Sequence, residues 1–544
     1  MDQTSKSETV ASAILALLKN YGVDVIFGIP GVHNLPFWNA DRPELPRIIN
    51  VRHEQTTVYA ADGLFRSTGK IGVALTTTGP GAANTLGAFG EASISGSSVL
   101  VISSEAPLKN RTPGHYRGYL HEMEDQAALF APLAKRSNSG KVLASSARSA
   151  SEALSLISSA LEMITSAPRG CAYVGIPADI LSEPATEYET TAVSESFDLK
   201  DLTRVCELIE NSTKISVWVG GGSIPFSDEI SKFAEHVSAV VISSFAGRGV
   251  AANSPGYLQI PIHENEASEV LAESDLLLII GSQFDGMNTK NWTLKLPEKI
   301  VVFDANTELH KRNIPVEIAV NSALSSDIFT ALMRVPSKGT WKDVQSINVK
   351  ARERIARSIE GNKGMELVQV IDDAWPIDGQ IVCDMCIAGY WYGGYGTAKQ
   401  PRRIAYPVGW GTLGFALPAS VGVATQNKPT LVISGDGGIA FALSELATII
   451  QEKLPVTILL HDDGGYGMLR YDQKVMNHPE RGVDLINPRW DLLAESFGIN
   501  FSRQTLQTLK DALTSASKNM GPNLILIEEE LSPPRTTSPR WREK

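Results

Sequence analysis

Two acidic, glycine-rich turns carry the chemistry most readable in this chain, with 25 residues (Gly438–Asp462) between Gly437 of the first and Asp463 of the second. The first is Gly435-Asp436-Gly437-Gly438. The second is Asp462-Asp463-Gly464-Gly465-Tyr466-Gly467-Met468. Each follows a β-rich apolar run, Thr430–Ser434 and Pro455–Leu460, with a helix-like segment between the runs. Parallel α/β sheets bind ligands just outside the carboxyl ends of their strands. Glycines let backbone approach a phosphate closely, and carboxylates hold a hard cation such as Mg²⁺. The direct reading is a magnesium–diphosphate site; the alternative is an ordinary α/β turn with solvated aspartates.

The elements that must position these turns recur along the chain. Short apolar runs alternate with helical patterns in three blocks, as parallel-sheet units do. The fold class expected is α/β, with three doubly wound parallel-sheet domains at 1–182, 200–335 and 355–530 and a tail at 531–544. Ser182–Lys200 and Arg334–Arg354 are polar and read as connections. The formal charge of −11 argues against nucleic acid and anionic membranes as partners. No apolar run approaches the ~20 residues of a membrane-spanning helix, and the first residues read as an amphipathic helix rather than a signal peptide. A cytoplasmic protein is expected. Four cysteines make no disulfide framework, and Cys383-x-x-Cys386 reads as small residues at a strand end.

The GDG turn, the spacing, and the run ELATIIQEKLPV (Glu445–Val456) resemble the thiamine diphosphate (ThDP) enzymes, in particular the group of acetolactate synthases and 2-oxo acid decarboxylases. Asp462-Asp463 stands where that group usually has Asn-Asn. GIPGVHNLPFW (Gly28–Trp38), TTGPGAAN (Thr77–Asn84) and PVGWGTLGFALPASVGVA (Pro407–Ala424) extend the resemblance over essentially the whole chain, most weakly in the middle block. GIPGVHNL and RGYLHEMEDQ (Arg117–Gln126) are most similar to the branch with 5-guanidino-2-oxopentanoate decarboxylase.

The resemblance implies ThDP and Mg²⁺ as cofactors. It implies Asp436, Asp463 and the Gly465 carbonyl as metal ligands, with Gly435, Gly437, Gly438, Tyr466, Gly467 and Met468 around the cofactor. Leu413, on a turn with Gly411, would be the apolar wedge that bends it. Glu54 would be the carboxyl hydrogen-bonded to the aminopyrimidine, a role suited to a tuned buried acid. His33 and His121 are candidate proton donors facing a 2-oxo acid substrate. Val32 and Thr76 stand where some decarboxylases carry acid–base residues, so those sets are not reproduced. The implied reaction is ylid addition, CO₂ loss and an enamine intermediate, giving an aldehyde by protonation or an acyloin by carboligation.

Alternatives stay open. One is acetolactate synthase itself, against which Asp472 stands where the synthases carry tryptophan. Others are a lyase or hydrolase on a diketone or acyloin, a flavin or nicotinamide oxidoreductase using the turn at Gly220–Gly222, and a silent binding protein. FAD, which the synthases bind centrally, is expected to be absent rather than present: GSQFDGMN (Gly281–Asn288) lacks their arginines, though Arg248 remains. The resemblance also implies a homodimer, with a tetramer left open, and Arg535, Arg540 or Trp541 of the tail could close over the pocket.

Overall fold

Three parallel sheets organise the chain in a computed structural model that describes residues 8–535 apart from 41, 113, 138–139, 188–198 and 359–360. Most of the expected Ser182–Lys200 connection, and Arg540 and Trp541, lie outside the described residues. The first sheet runs in the order Arg47–Asn50, Val25–Gly28, Gly72–Thr76, Val99–Glu105, Cys171–Pro177, Ala144–Ser146. Its inner strands are buried along their whole length, which is why they read as unbroken apolar runs rather than alternating ones. The second sheet runs Ile318–Asn321, Lys299–Asp304, Leu276–Ile280, Ile215–Val219, Val240–Ser243. The third runs Ile404–Ala405, Gln380–Cys383, Thr430–Gly435, Val456–His461, Asn523–Ile527, Asn500–Gln504.

The chain folds as two compact units that do not follow the sequence blocks. One gathers 1–193 with 407–427 and 440–456; the other holds 194–406, 428–439 and 457–544. In the first unit the Glu54–Thr68 and Ala416–Ala424 helices cross at bare backbone. A Cβ on Gly63 would collide with the Ala419 carbonyl, and one on Gly422 with the Ala60 carbonyl. Glycine is required at both positions because two helix backbones touch there.

The structure corrects one expectation. Much of Arg334–Arg354 is not a loose connection, because a helix runs over Val344–Arg357, N-capped by the Asp343 side chain. Its buried positions are only Val344, Asn348, Ala351 and Ile355, a stripe too thin to stand out from a polar background. Cys383 closes its strand and Cys386 caps the Ile387–Tyr395 helix; both are free thiols, with pKa values pushed up by burial. Of the aromatics in the Asp384–Gly396 stretch, Trp391, Tyr392 and Tyr395 pack the interior and Tyr390 is half-buried. Among the described residues no helix is long and apolar enough to cross a membrane.

Candidate active site

In the second unit, the Thr430–Gly435 strand ends at Asp436, where a short helix, Asp436–Ile439, begins. The neighbouring Val456–His461 strand ends at the second acidic turn. The close approach is built with glycine: a Cβ on Gly437 would lie 2.7 Å from the Tyr466 ring and 3.2 Å from the Gly465 carbonyl oxygen. A Cβ on Gly467 would overlap the Asp463 carboxylate. Gly438 lies against Asp384, a Cβ there being 3.0 Å from its Oδ2. Asp436, Gly437, Gly465 and Asp463 are thereby brought together, with Tyr466, Gly467 and Met468 opening the next helix, Gly467–Val475.

The electrostatics fit a cation. Asp436 Oδ1 and Asp463 Oδ1 are both buried without a hydrogen-bond partner, a costly state for a carboxylate oxygen unless something positive meets it. Burial, together with the neighbouring carboxylates, lifts the pKa values of both groups above the ordinary range, opposed by Asn487 at Asp436 and by His461 and Arg470 at Asp463. Among the described residues no three His, Cys, Asp or Glu side chains form a metal set. Two carboxylates and a backbone carbonyl, leaving positions for phosphate oxygens and water, suit Mg²⁺ better than an all-side-chain cage.

Asp462 is differently used. Its Oδ1 accepts from Asn487 Nδ2 (2.8 Å) and Gly464 N (3.0 Å), and its Oδ2 from Trp490 Nε1 (2.6 Å). Asn487 Nδ2 also donates to Asp436 Oδ2 at 2.6 Å. Nothing local in the sequence marked Asn487 or Trp490.

The first unit holds the other candidates. Glu54 is the first residue of the Glu54–Thr68 helix, half-buried, with Oε2 accepting from Asn84 Nδ2 at 3.0 Å. Its other oxygen lies near Gly81, so Glu54 and the Gly79–Asn84 turn share one place. That turn is fixed by Gln126, whose Oε1 accepts from Gly79 N (2.8 Å) and whose Nε2 donates to Tyr173 OH (2.7 Å) and Ser103 Oγ (3.2 Å). His33 Nδ1 pairs with Thr78 Oγ1 at 2.8 Å, and the His33 ring lies edge-on to His121 with centroids 6.3 Å apart. Burial, and secondarily His121, holds the His33 pKa below its ordinary range. His121 itself is exposed, on left-handed backbone (φ 63°).

Gly411 (φ 67°) and the half-buried Leu413 lie on a turn that Glu91 grips. The Glu91 carboxylate accepts from Gly409 N (2.9 Å) and Trp410 N (2.8 Å), and is itself paired with buried Arg66 (2.9 Å). A second buried glutamate, Glu445, grips the start of the Glu54 helix. Its Oε1 accepts from Arg52 N (3.1 Å), His53 N (3.1 Å) and Thr56 Oγ1 (2.9 Å), and its Oε2 from Thr448 Oγ1 (2.7 Å). Glu445 is the first residue of the ELAT run, and Glu91 is the one acid in the small-residue helix Leu86–Ile94. An acid in an otherwise apolar setting was the available signal for both.

The central glycine-rich turn is closed by packing. A Cβ on Gly220 would lie 2.5 Å from Ser282 Cβ, and Ser223 Oγ donates to the Gly220 carbonyl at 2.6 Å. Arg248 is engaged with the carbonyls of Gly393, Gly394 and Gly396.

Known proteins similar to this chain fall in one family. Residues 8–129 match the N-terminal TPP binding domain of thiamine pyrophosphate enzymes, 202–332 the central domain, and 386–527 the C-terminal TPP binding domain. The chain belongs to the thiamine pyrophosphate enzyme family, and thiamine diphosphate with Mg²⁺ is the cofactor pair its domains serve. It is 29% identical to a probable 2-ketoarginine decarboxylase of Pseudomonas aeruginosa, over 96% of this chain and 94% of that one. It is 27% identical to the acetolactate synthase large subunit of Lactococcus lactis, over 93% of this chain and 90% of the relative. A probable acetolactate synthase large subunit of Methanocaldococcus jannaschii is 26% identical, over 93% and 90%.

Proposed function

We propose that this chain catalyses ThDP- and Mg²⁺-dependent decarboxylation of a small 2-oxo acid, releasing an aldehyde. The observation that carries the proposal is the pair of buried, partnerless oxygens on Asp436 and Asp463 beside the Gly465 carbonyl. When bound, the cofactor supplies a thiazolium carbon that adds to the ketone and stores the electrons released with CO₂. Asp436, Asp463 and Gly465 would hold the metal; Gly435, Gly437, Gly438, Tyr466, Gly467 and Met468 would form the bed for the diphosphate end. Glu54 would hold a proton at the aminopyrimidine, Gly411 and Leu413 would pack against the cofactor, and His33 with His121 would supply a proton to the substrate. Domains at 1–182, 200–335 and 355–530, a cytoplasmic location and a homodimer that completes each site are part of the same reading. The dimer is tested by dilution: full activity in demonstrably monomeric protein would overturn it.

The similarity to a probable 2-ketoarginine decarboxylase makes that 2-oxo acid the first substrate to try; the synthase relatives favour carboligation as the second reading. A CO₂-release assay over a panel of 2-oxo acids decides between them through its products, aldehyde or acyloin. No release from any acid, with ThDP still bound, would move the assignment to a lyase or hydrolase. His33→Ala is expected to slow aldehyde formation about a hundredfold, the usual scale for a positioned proton donor, with ThDP affinity unchanged. An unaltered rate and product ratio would remove His33 from the mechanism.

A further inference from the structure

The second turn carries two aspartates where the resembled group usually has an Asn-Asn pair, and both lie close enough to Asp436 to act on it electrostatically. Left alone, three like charges in a partly buried site repel strongly. The structure divides them. Asp462 is satisfied on both oxygens by Asn487, Gly464 N and Trp490. It is a strut, each of its oxygens already held by a protein donor. Asn487 spans from it to Asp436 Oδ2, which fixes the Asp436 carboxylate and leaves only Oδ1 unpartnered. Asp463 Oδ1 is the second partnerless oxygen. Asp436 is 1% exposed.

The turn that presents Asp463 is tied down by protein alone. Arg470 donates to the Asp463 and Gly464 carbonyls (3.0 and 3.1 Å) and pairs with Asp484 (2.9 Å). Tyr466 N donates to the Val483 carbonyl (2.8 Å) and Leu485 N to the Gly464 carbonyl (3.0 Å). A site so held loses little freedom when it takes its ligand.

From this we infer that the protein binds its divalent cation before, and without, the diphosphate, and that Asp463 is the residue that makes this possible. An amide at 463 offers a dipole; the carboxylate offers a full charge, so two anionic oxygens and the Gly465 carbonyl hold the ion without help from phosphate oxygens. Asn487 acts as a positioning residue by keeping Asp436 Oδ1 turned toward the ion. The inference rests on the metal ligands proposed above.

The test uses the full chain freed of metal and ThDP, with Mn²⁺ as a paramagnetic probe of free and bound ion. The wild type is expected to show one saturable Mn²⁺ site per chain in the absence of ThDP. Asp463→Asn is expected to weaken that site at least tenfold, and by less than threefold when ThDP is saturating, because the diphosphate then replaces the lost charge. Asn487→Ala, which leaves all three carboxylates in place, is expected to weaken it severalfold at unchanged far-ultraviolet circular dichroism. Absence of a saturable site in folded, ThDP-free wild type, or equal affinity in wild type and Asp463→Asn, would overturn the inference. Failure of the proposed function would show differently, as no ThDP binding at any Mn²⁺ concentration.

Discussion

Glu54→Gln is expected to lower CO₂ release by about a hundredfold to ten-thousandfold, the range for loss of a general acid–base group. The substitution preserves shape and the contact with Asn84, whose amide donates to Glu54 Oε2 at 3.0 Å. What it removes is the exchangeable proton. ThDP and Mg²⁺ affinities should change little, because the proposed metal and diphosphate groups lie in other segments of the chain. The clean readout is exchange of the cofactor's C2 hydrogen with solvent: it should slow in parallel with turnover. Turnover lost with exchange intact would assign Glu54 to the substrate rather than the cofactor, and turnover near the wild-type rate would remove it from the site.

The second large effect is expected at Glu445. Glu445→Ala strips four donors of their acceptor at a fully buried position: the peptide N–H groups of Arg52 and His53 and the hydroxyls of Thr56 and Thr448. The hydroxyls can turn elsewhere, but the two N–H groups cannot. Both N–H groups sit in part-buried bonds, so each costs about 1 kcal/mol when orphaned, the low end of the range, and a loss of roughly 2 kcal/mol in unfolding free energy is expected. Those two peptides immediately precede Glu54, so the damage should reach the chemistry as well. At temperatures where the variant is folded, C2-hydrogen exchange should fall about tenfold at constant cofactor occupancy, the scale of about 1.4 kcal/mol of misplacement. Glu445→Asp, which keeps the charge on a shorter arm, should recover part of the exchange rate. A variant that is merely less stable, with exchange unchanged, would make Glu445 a structural residue only.

Much of this was legible because parallel-sheet strands announce themselves. The runs Thr430–Ser434 and Pro455–Leu460 became the strands Thr430–Gly435 and Val456–His461, within one residue at each end. Edge strands did not: Arg47–Asn50 starts on an exposed arginine and has a single buried residue, Asn500–Gln504 is polar, and Ile404–Ala405 is two residues long. Each is a strand because a neighbour's backbone pairs with it, and that depends on the fold rather than on its own residues. The acidic turns were readable from spacing, because glycine and aspartate at strand ends have few other uses. The groups that steady them were not. Glu445 reaches back 392 residues to His53, and Glu91 forward 318 to Gly409. No local pattern carries contacts at such separation. Asp462 shows the converse limit: the sequence assigned it no role, and only the structure shows Asn487 and Trp490 holding both its oxygens.

The backbone crossing at Gly63 and Gly422 bears on how this enzyme could be taken apart. Residues 407–427 and 440–456 belong to the same compact unit as the first 193. A gene fragment ending near residue 193 would therefore lack the partner helix that covers Ala60 and Gly63. Such a fragment should aggregate when expressed alone and become soluble when the remainder of the chain is supplied in the same cell. Chimeras between relatives meet the same obstacle: an exchange of the first third succeeds only if Ala416–Ala424 and Glu445 travel with it. Recombination in this chain is constrained by a seam that linear domain limits do not show.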